Sequence, residues 1–213
     1  MKTNKKVIII TGATKGLGKE LTCYLTSFDY NIAVLSRGID FKETDILLQF
    51  PVNIKNKKEI VTFIDKVYSK WGRIDILINN AGVVNLKSIK DYSEEDYYNI
   101  FDVNVKGAFL MTQSVIPYMK NGYIINIGST RSITGAPNKS LYSMSKFALR
   151  SLTQCINQEF KNIRSSIVCP GRLGRGKNKD KLVQMNEVAQ IVKYLIDSPK
   201  SNHIPEIIIG GQL

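Results

Sequence analysis

Short apolar, β-branched runs alternate along the chain with segments of helical spacing. Residues 7–11 predict a first strand that runs into a glycine cluster at Gly12, and residues 17–28 a helix. Residues 31–35 predict a second strand, and 37–45 are polar and short. A third strand is predicted over 46–52, ending near Pro51, then an amphipathic helix over 57–71 with Ile60, Phe63, Ile64 and Val67 on one face. A fourth strand follows at 74–78, a long helical pattern at 93–119, a fifth strand at 123–127 and a second long helix at 141–160. The chain closes with a sixth strand at 164–168, a helix at 186–196 and a last strand at 206–209. Strands that alternate with helices, and that read as continuous apolar runs, predict an α/β protein. Its core is a doubly wound parallel sheet of about seven strands with helices on both faces. There is no internal repeat, low-complexity segment or linker, so residues 1–213 read as a single domain.

Composition narrows the function classes. No apolar run approaches the ~20 residues needed to cross a membrane, and the basic start, Lys2 to Lys6, leads into an apolar run too short for a signal peptide. A cytoplasmic protein without membrane partners is expected. Cys23, Cys155 and Cys169 have no metal-ligand spacing, and His203 is the one histidine. No metal is expected, and Ser-His-Asp hydrolysis has little to work with. The net charge of +12 raises nucleic-acid binding as one class, but the lysines are scattered and carry no recognition motif. An anionic cofactor and an anionic substrate account for the charge as well.

The first strand ends in Thr11-Gly12-Ala13-Thr14-Lys15-Gly16-Leu17-Gly18, and a helix begins there. Glycines let the backbone turn tightly and approach a pyrophosphate, and the helix start offers free N–H groups. The spacing is G-x-x-x-G-x-G rather than G-x-G-x-x-G. After the second strand, where an acid would bind the ribose 2′-hydroxyl of NAD(H), the chain reads Ser36-Arg37. Arginine can pair with a 2′-phosphate, and Lys15 lies on the same side. NADP(H) is therefore favoured over NAD(H).

Tyr142 and Lys146 are one helical turn apart, with Ser129 upstream. A phenol beside an ammonium can move a proton, because a nearby positive charge favours the phenolate. With the glycine loop, Asn79-Asn80-Ala81-Gly82 after the fourth strand, Asn104 in the long helix and Pro170-Gly171 after the sixth strand, the chain resembles the short-chain dehydrogenases/reductases over nearly its whole length. Within them it is similar to carbonyl reductases of the 3-oxoacyl-carrier-protein reductase type. The resemblance implies a Rossmann-type sheet and an NADP(H)-dependent reduction of a carbonyl to an alcohol. Ser129 would polarise the carbonyl, and Tyr142 would be the general acid. Lys146 would lower the tyrosine pKa and bind the nicotinamide ribose. Asn104 would interrupt its helix and hold a relay water. Asn53 would contact adenine, Asn80, Ala81 and Gly82 would line the cofactor trough, and Pro170 and Gly171 would flank the nicotinamide. The resemblance also implies a homodimer or homotetramer packed through the helix of Tyr142.

Two segments depart from the family. Residues 38–46 leave room for one or two helical turns where a helix is usual. After Pro170-Gly171 the substrate lid is short and its usual Thr is missing. The pocket is expected to be open, with Arg131, Arg172 and Arg175 forming a basic rim. That rim suits an anionic small-molecule or carrier-linked carbonyl substrate. The competing readings are a catalytically weak NADP(H)-binding regulator or sensor, and a nucleic-acid-binding protein.

Overall fold

The computed structural model describes residues 4–38, 40–174 and 182–210. Seven parallel strands form one sheet in the order β3-β2-β1-β4-β5-β6-β9. They are β1 (Lys6–Thr11), β2 (Tyr30–Ser36), β3 (Leu47–Pro51), β4 (Ile76–Asn79), β5 (Tyr123–Ile127), β6 (Arg164–Pro170) and β9 (Glu206–Ile209). The predicted Rossmann-type α/β architecture is thus observed. Pro51 is tolerated because β3 is an edge strand, where a missing N–H breaks no ladder.

Alternation along the strands supplies two cores. Ile8 and Ile10 of β1 pack with Leu17, Leu21 and Leu25 of α1 (Gly16–Leu25) and Val188, Val192 and Leu195 of α6 (Met185–Asp197). Val7 and Ile9 face the other layer, with Ile60, Phe63, Ile64 and Val67 of α2 (Lys57–Trp71), Met111 and Val115 of α4 (Ala108–Val115) and Ile156 of α5 (Ser140–Glu159). Local chemistry sets the helix ends. Asn56 caps α2 by accepting from the N–H groups of Lys58 and Glu59, and Gly72 ends it at φ 74°. Ser93 and Asp96 form a reciprocal capping box at the start of α3 (Glu94–Phe101).

Three expectations change. The described residues between β2 and β3 form no helical turn. Instead the Gln49 side chain gathers them, accepting from the N–H groups of Asp40 and Phe41 and donating to Gly38 O. The long helix over 93–119 is three pieces: α3, a π-helical segment Asp102–Gly107, and α4, followed by a 3-10 turn Ile116–Tyr118. Beyond β6, the two-residue strands β7 (Leu173–Gly174) and β8 (Val183–Gln184) pair in parallel, and residues 175–181, where a short lid is expected, lie outside the described residues.

The sheet order reverses between β1 and β4, so the loops after them diverge and leave a crevice at the carboxyl ends of the strands. No helix among the described residues is long and apolar enough to cross a membrane.

Candidate active site

The glycine loop follows β1. Gly12 and Gly16 hold φ of 66° and 53°, in the left-handed region where glycine is unstrained. Lys15, in extended backbone, is the residue from which α1 starts. A Cβ on Gly18 would stand 2.2 Å from Gly12 O and 2.4 Å from Asn80 Nδ2. Asn80 acts as a clamp: its Nδ2 donates to Thr11 O (2.9 Å) and Gly12 O (3.1 Å). The Thr11 hydroxyl accepts from the N–H groups of Asn80 (3.0 Å) and Ala81 (2.9 Å). These bonds tie the ends of β1 and β4 together beneath the loop.

A cavity of about 870 Å³ runs from this loop across the ends of β2 and β3. Gly12, Thr14, Lys15, Gly16, Leu17 and Gly18 line one side, with Ser36, Arg37 and Asn53 on the other and Asn80, Ala81 and Gly82 on the floor. Lys15 and Arg37 are exposed. Asn53 accepts from Lys55 N–H through Oδ1 (3.1 Å), which leaves its NH2 without a partner among the described residues. Loop N–H groups at a helix start, two cations and a floor without side-chain bulk could hold a phosphate-rich ligand such as a dinucleotide. Ile54, Lys55, Asn99 and Val103 complete the wall. Sequence reasoning missed them because only the fold brings them there.

A second cavity, of about 450 Å³, shares Leu17, Asn80 and Gly82 with the first. It holds Ser129, Tyr142, Lys146, Pro170, Gly171, Arg131 and Arg172. Ser129 follows β5, and its hydroxyl accepts from Arg131 N–H (3.1 Å) while its N–H donates to Ser132 Oγ (3.1 Å). Tyr142 and Lys146 stand one turn apart on α5. The Lys146 side chain is buried, donates to Ile127 O (2.8 Å), and lies 5.8 Å from the centre of the Tyr142 ring. Burial lowers its pKa to about 8.

The expected lowering of the tyrosine pKa by Lys146 is corrected here. Burial raises the Tyr142 pKa above its ordinary value, and what pulls it back is the hydrogen bond with Ser129 and the charge of Arg131. Lys146 is not among these influences, because its own pKa of about 8 leaves it uncharged where the raised phenol titrates.

Asn104 lies in the π-helical segment, a feature frequent at functional sites. Its Oδ1 accepts from Val83 N–H (2.7 Å), and its Nδ2 donates to Val83 O (2.9 Å) and Ser145 Oγ (3.0 Å). Ser145 Oγ donates in turn to Tyr142 O (2.7 Å). The buried amide therefore braces the 81–84 strap against α5. A Cβ on Gly82 would lie 3.5 Å from Asn104 Oδ1 and 3.6 Å from Lys146 Nζ, so the space beside Gly82 borders both groups. The bracing roles of Ser132, Ser145 and Val83 had no sequence signal. Arg131 and Arg172 do share the cavity, joined by Lys139, whereas Arg175 lies outside the described residues. Among the described residues no group of three His, Cys, Asp or Glu could hold a metal.

Comparison with known proteins agrees with this geometry. The family model described as short chain dehydrogenase matches residues 6–186. A 3-oxoacyl-[acyl-carrier-protein] reductase of Thermotoga maritima is 31% identical over 242 residues, covering 99% of this chain and 97% of the relative. Its counterpart from Buchnera aphidicola is 34% identical, covering 93% of this chain and 84% of its own length. Among solved structures, an alcohol dehydrogenase of Thermococcus sibiricus complexed with 5-hydroxy-NADP superposes with a TM-score of 0.88 at 23% identity, covering 97% of this chain and 96% of its own. ElxO with NADP bound gives 0.87 at 23%, covering 96% of each chain. These two likenesses establish the fold. With the family match spanning most of the sequence, the chain belongs to the short-chain dehydrogenase family of oxidoreductases.

Proposed function

We propose that the protein is an NADPH-dependent reductase that converts a carbonyl to an alcohol, with residues 1–213 acting as one dinucleotide-binding domain. The observation that carries this reading is the meeting of Ser129, Tyr142 and Lys146 in a cavity continuous with the glycine-loop trough. When bound, the reduced nicotinamide supplies a hydride. The cradle fits such a cofactor, because loop N–H groups at a helix start and two cations face a trough that a side chain at Gly82 would narrow. Lys15 and Arg37 would meet the 2′-phosphate, and Asn53 the adenine. Pro170 and Gly171 would flank the nicotinamide.

The protein groups do the proton work. Ser129 donates to the substrate oxygen, and Tyr142 gives it a proton. The raised pKa of Tyr142 keeps the phenol protonated at neutral pH, which is the form a reductase needs. Lys146 holds the ribose hydroxyls with its ammonium and passes protons toward Asn104. The named activity of the two bacterial relatives supports a ketone substrate, carried or free. Assay with NADPH and a panel of 3-oxoacyl thioesters, simple ketones and oxo acids should show carbonyl-dependent consumption. Tight binding without any consumption would favour a sensor instead.

Cofactor choice is open to separate measurement. Arg37→Ala should weaken NADPH binding about 10–100-fold and leave NADH binding close to wild type, because a charged phosphate contact is worth ~1.5–3 kcal/mol. Equal loss for both cofactors would assign Arg37 no part in the choice.

A pH profile follows from Lys146. Its ammonium loses its charge as pH rises through about 8, so reductive kcat/KM should fall above that value. Its effect on stability has the opposite sign. The folded pKa lies below the ordinary 10.5, so burying the charge costs stability below about 8, and the cost is relieved as pH climbs toward 10.5. In Lys146→Met, thermal melts should lose that alkaline gain, and an unchanged profile would contradict it.

A further inference from the structure

Among the described residues, the cavity beside Tyr142 is lined by four cations, Arg131, Lys139, Lys146 and Arg172, and by no carboxylate. Lys146 is committed to the Ile127 carbonyl. The other three form no ion pair among the described residues. Some cations elsewhere pair with acids, as Lys87 does with Asp96 (2.7 Å) and Arg150 with Glu206 (2.8 Å); what sets these three apart is that they line one cavity. Arg131 is half-buried and held at both ends: its N–H rests on Ser129 Oγ (3.1 Å) and its Nη1 on Gly135 O (2.8 Å). Its Nε and Nη2 have no hydrogen-bond partner among the described residues, so an anchored guanidinium keeps donors to spare beside the hydroxyl that would meet the substrate oxygen.

We propose that Arg131, with Lys139 and Arg172 on the rim, forms an anion subsite that selects a free oxo acid, its carbonyl on Ser129 and Tyr142 and its carboxylate one or two carbons away. This rests on the reading of the cavity as a carbonyl-reducing site and gives it a substrate class. Arg131 lines the same cavity as Ser129 and Tyr142, so the charge it offers borders the space a short substrate would occupy. A planar guanidinium with free N–H groups matches a carboxylate. A carrier-linked thioester has no charge at that distance, since its nearest phosphate is many bonds from the ketone. Val84 and Leu86, 58% and 57% exposed, and Leu173 offer an apolar wall to the alkyl end. In the step, the oxo acid gains a hydride at carbon and a proton at oxygen from Tyr142. It becomes the hydroxy acid as NADPH becomes NADP+, and the carboxylate is unchanged.

The test compares short 2-oxo and 3-oxo acids with their methyl esters, which keep the carbon skeleton and lose the charge. Wild type should prefer the acids by about 100-fold in kcat/KM, mostly through KM, the equivalent of ~2.7 kcal/mol. Arg131→Gln should bring the ratio near one, and Arg131→Lys should restore part of it. Reduction of acids and esters with equal efficiency would overturn the subsite and leave the reductase reading intact. If neither is reduced, the reductase reading is judged on the wider ketone panel, and the subsite separately by binding of oxamate, an unreactive oxo-acid analogue, to the NADPH-loaded protein by calorimetry. Tighter binding to wild type than to Arg131→Gln, by tenfold or more (about 1.4 kcal/mol), with Arg131→Lys between them, would uphold it. Equal or absent binding would overturn it.

Discussion

Tyr142→Phe should lower kcat about 10²–10⁴-fold, the usual share of a positioned general acid. The substitution keeps the ring, so the packing of α5 against the cavity survives and only the hydroxyl beside Ser129 is lost. Ser129 cannot take over, because an aliphatic hydroxyl is a far weaker acid than a phenol. Lys146 is not placed to replace it, since its ammonium is held by the Ile127 carbonyl at 2.8 Å and, on the proposed reading, by the ribose hydroxyls. NADPH binding, proposed to rest mainly on the glycine loop and Arg37, should be retained when followed by fluorescence. A mutant with near-wild-type kcat would mean that another group gives the proton.

Gly18→Ala should nearly abolish cofactor binding. The added carbon would stand 2.2 Å from Gly12 O and 2.4 Å from Asn80 Nδ2, and neither can give way cheaply. Gly12 O belongs to the loop backbone. Asn80 Nδ2 holds that same loop through two hydrogen bonds. The loop must open, which should cost roughly 1–3 kcal/mol of stability and displace the N–H groups meant for the phosphates. NADPH affinity should fall at least about 100-fold, the equivalent of ~2.7 kcal/mol. Gly16→Ala is the informative contrast. Nothing lies within 4 Å of its added Cβ, so only the strain of φ 53° is felt, about 1–2 kcal/mol. If both variants bound NADPH equally well, steric closure at Gly18 would not be what shapes the cradle.

Much of this was legible in the sequence. Runs such as Val7 to Ile10 and Ile76 to Ile78 are apolar on both faces, and only a strand covered by helices on both sides needs that. Gly12, Asn79, Ser129 and Pro170 each end or follow such a run, and parallel strands bring those ends to one edge. What stayed hidden depends on tertiary contacts. The segment Asp102–Gly107 keeps helical spacing, and side-chain pattern does not separate a π turn from an α turn. The direction of the Tyr142 shift depends on how deeply the phenol is buried and on where Lys146 points, and a spacing of one turn specifies neither. Gln49 reads as an ordinary strand residue, yet it organises the loop where a helix had room to form. The two-residue strands at Leu173–Gly174 and Val183–Gln184 are too short to leave a periodic signal.

The most direct test of the reductase reading is to supply NADPH deuterated at nicotinamide C4, together with a panel of thioester-linked and free ketones, and to weigh the alcohol formed. One deuterium on the former carbonyl carbon for each NADPH consumed, with the signal lost in Tyr142→Phe, is the result predicted here. Saturable NADPH binding with no labelled alcohol from any ketone in the panel would contradict it and leave a nucleotide-binding protein that senses rather than reduces.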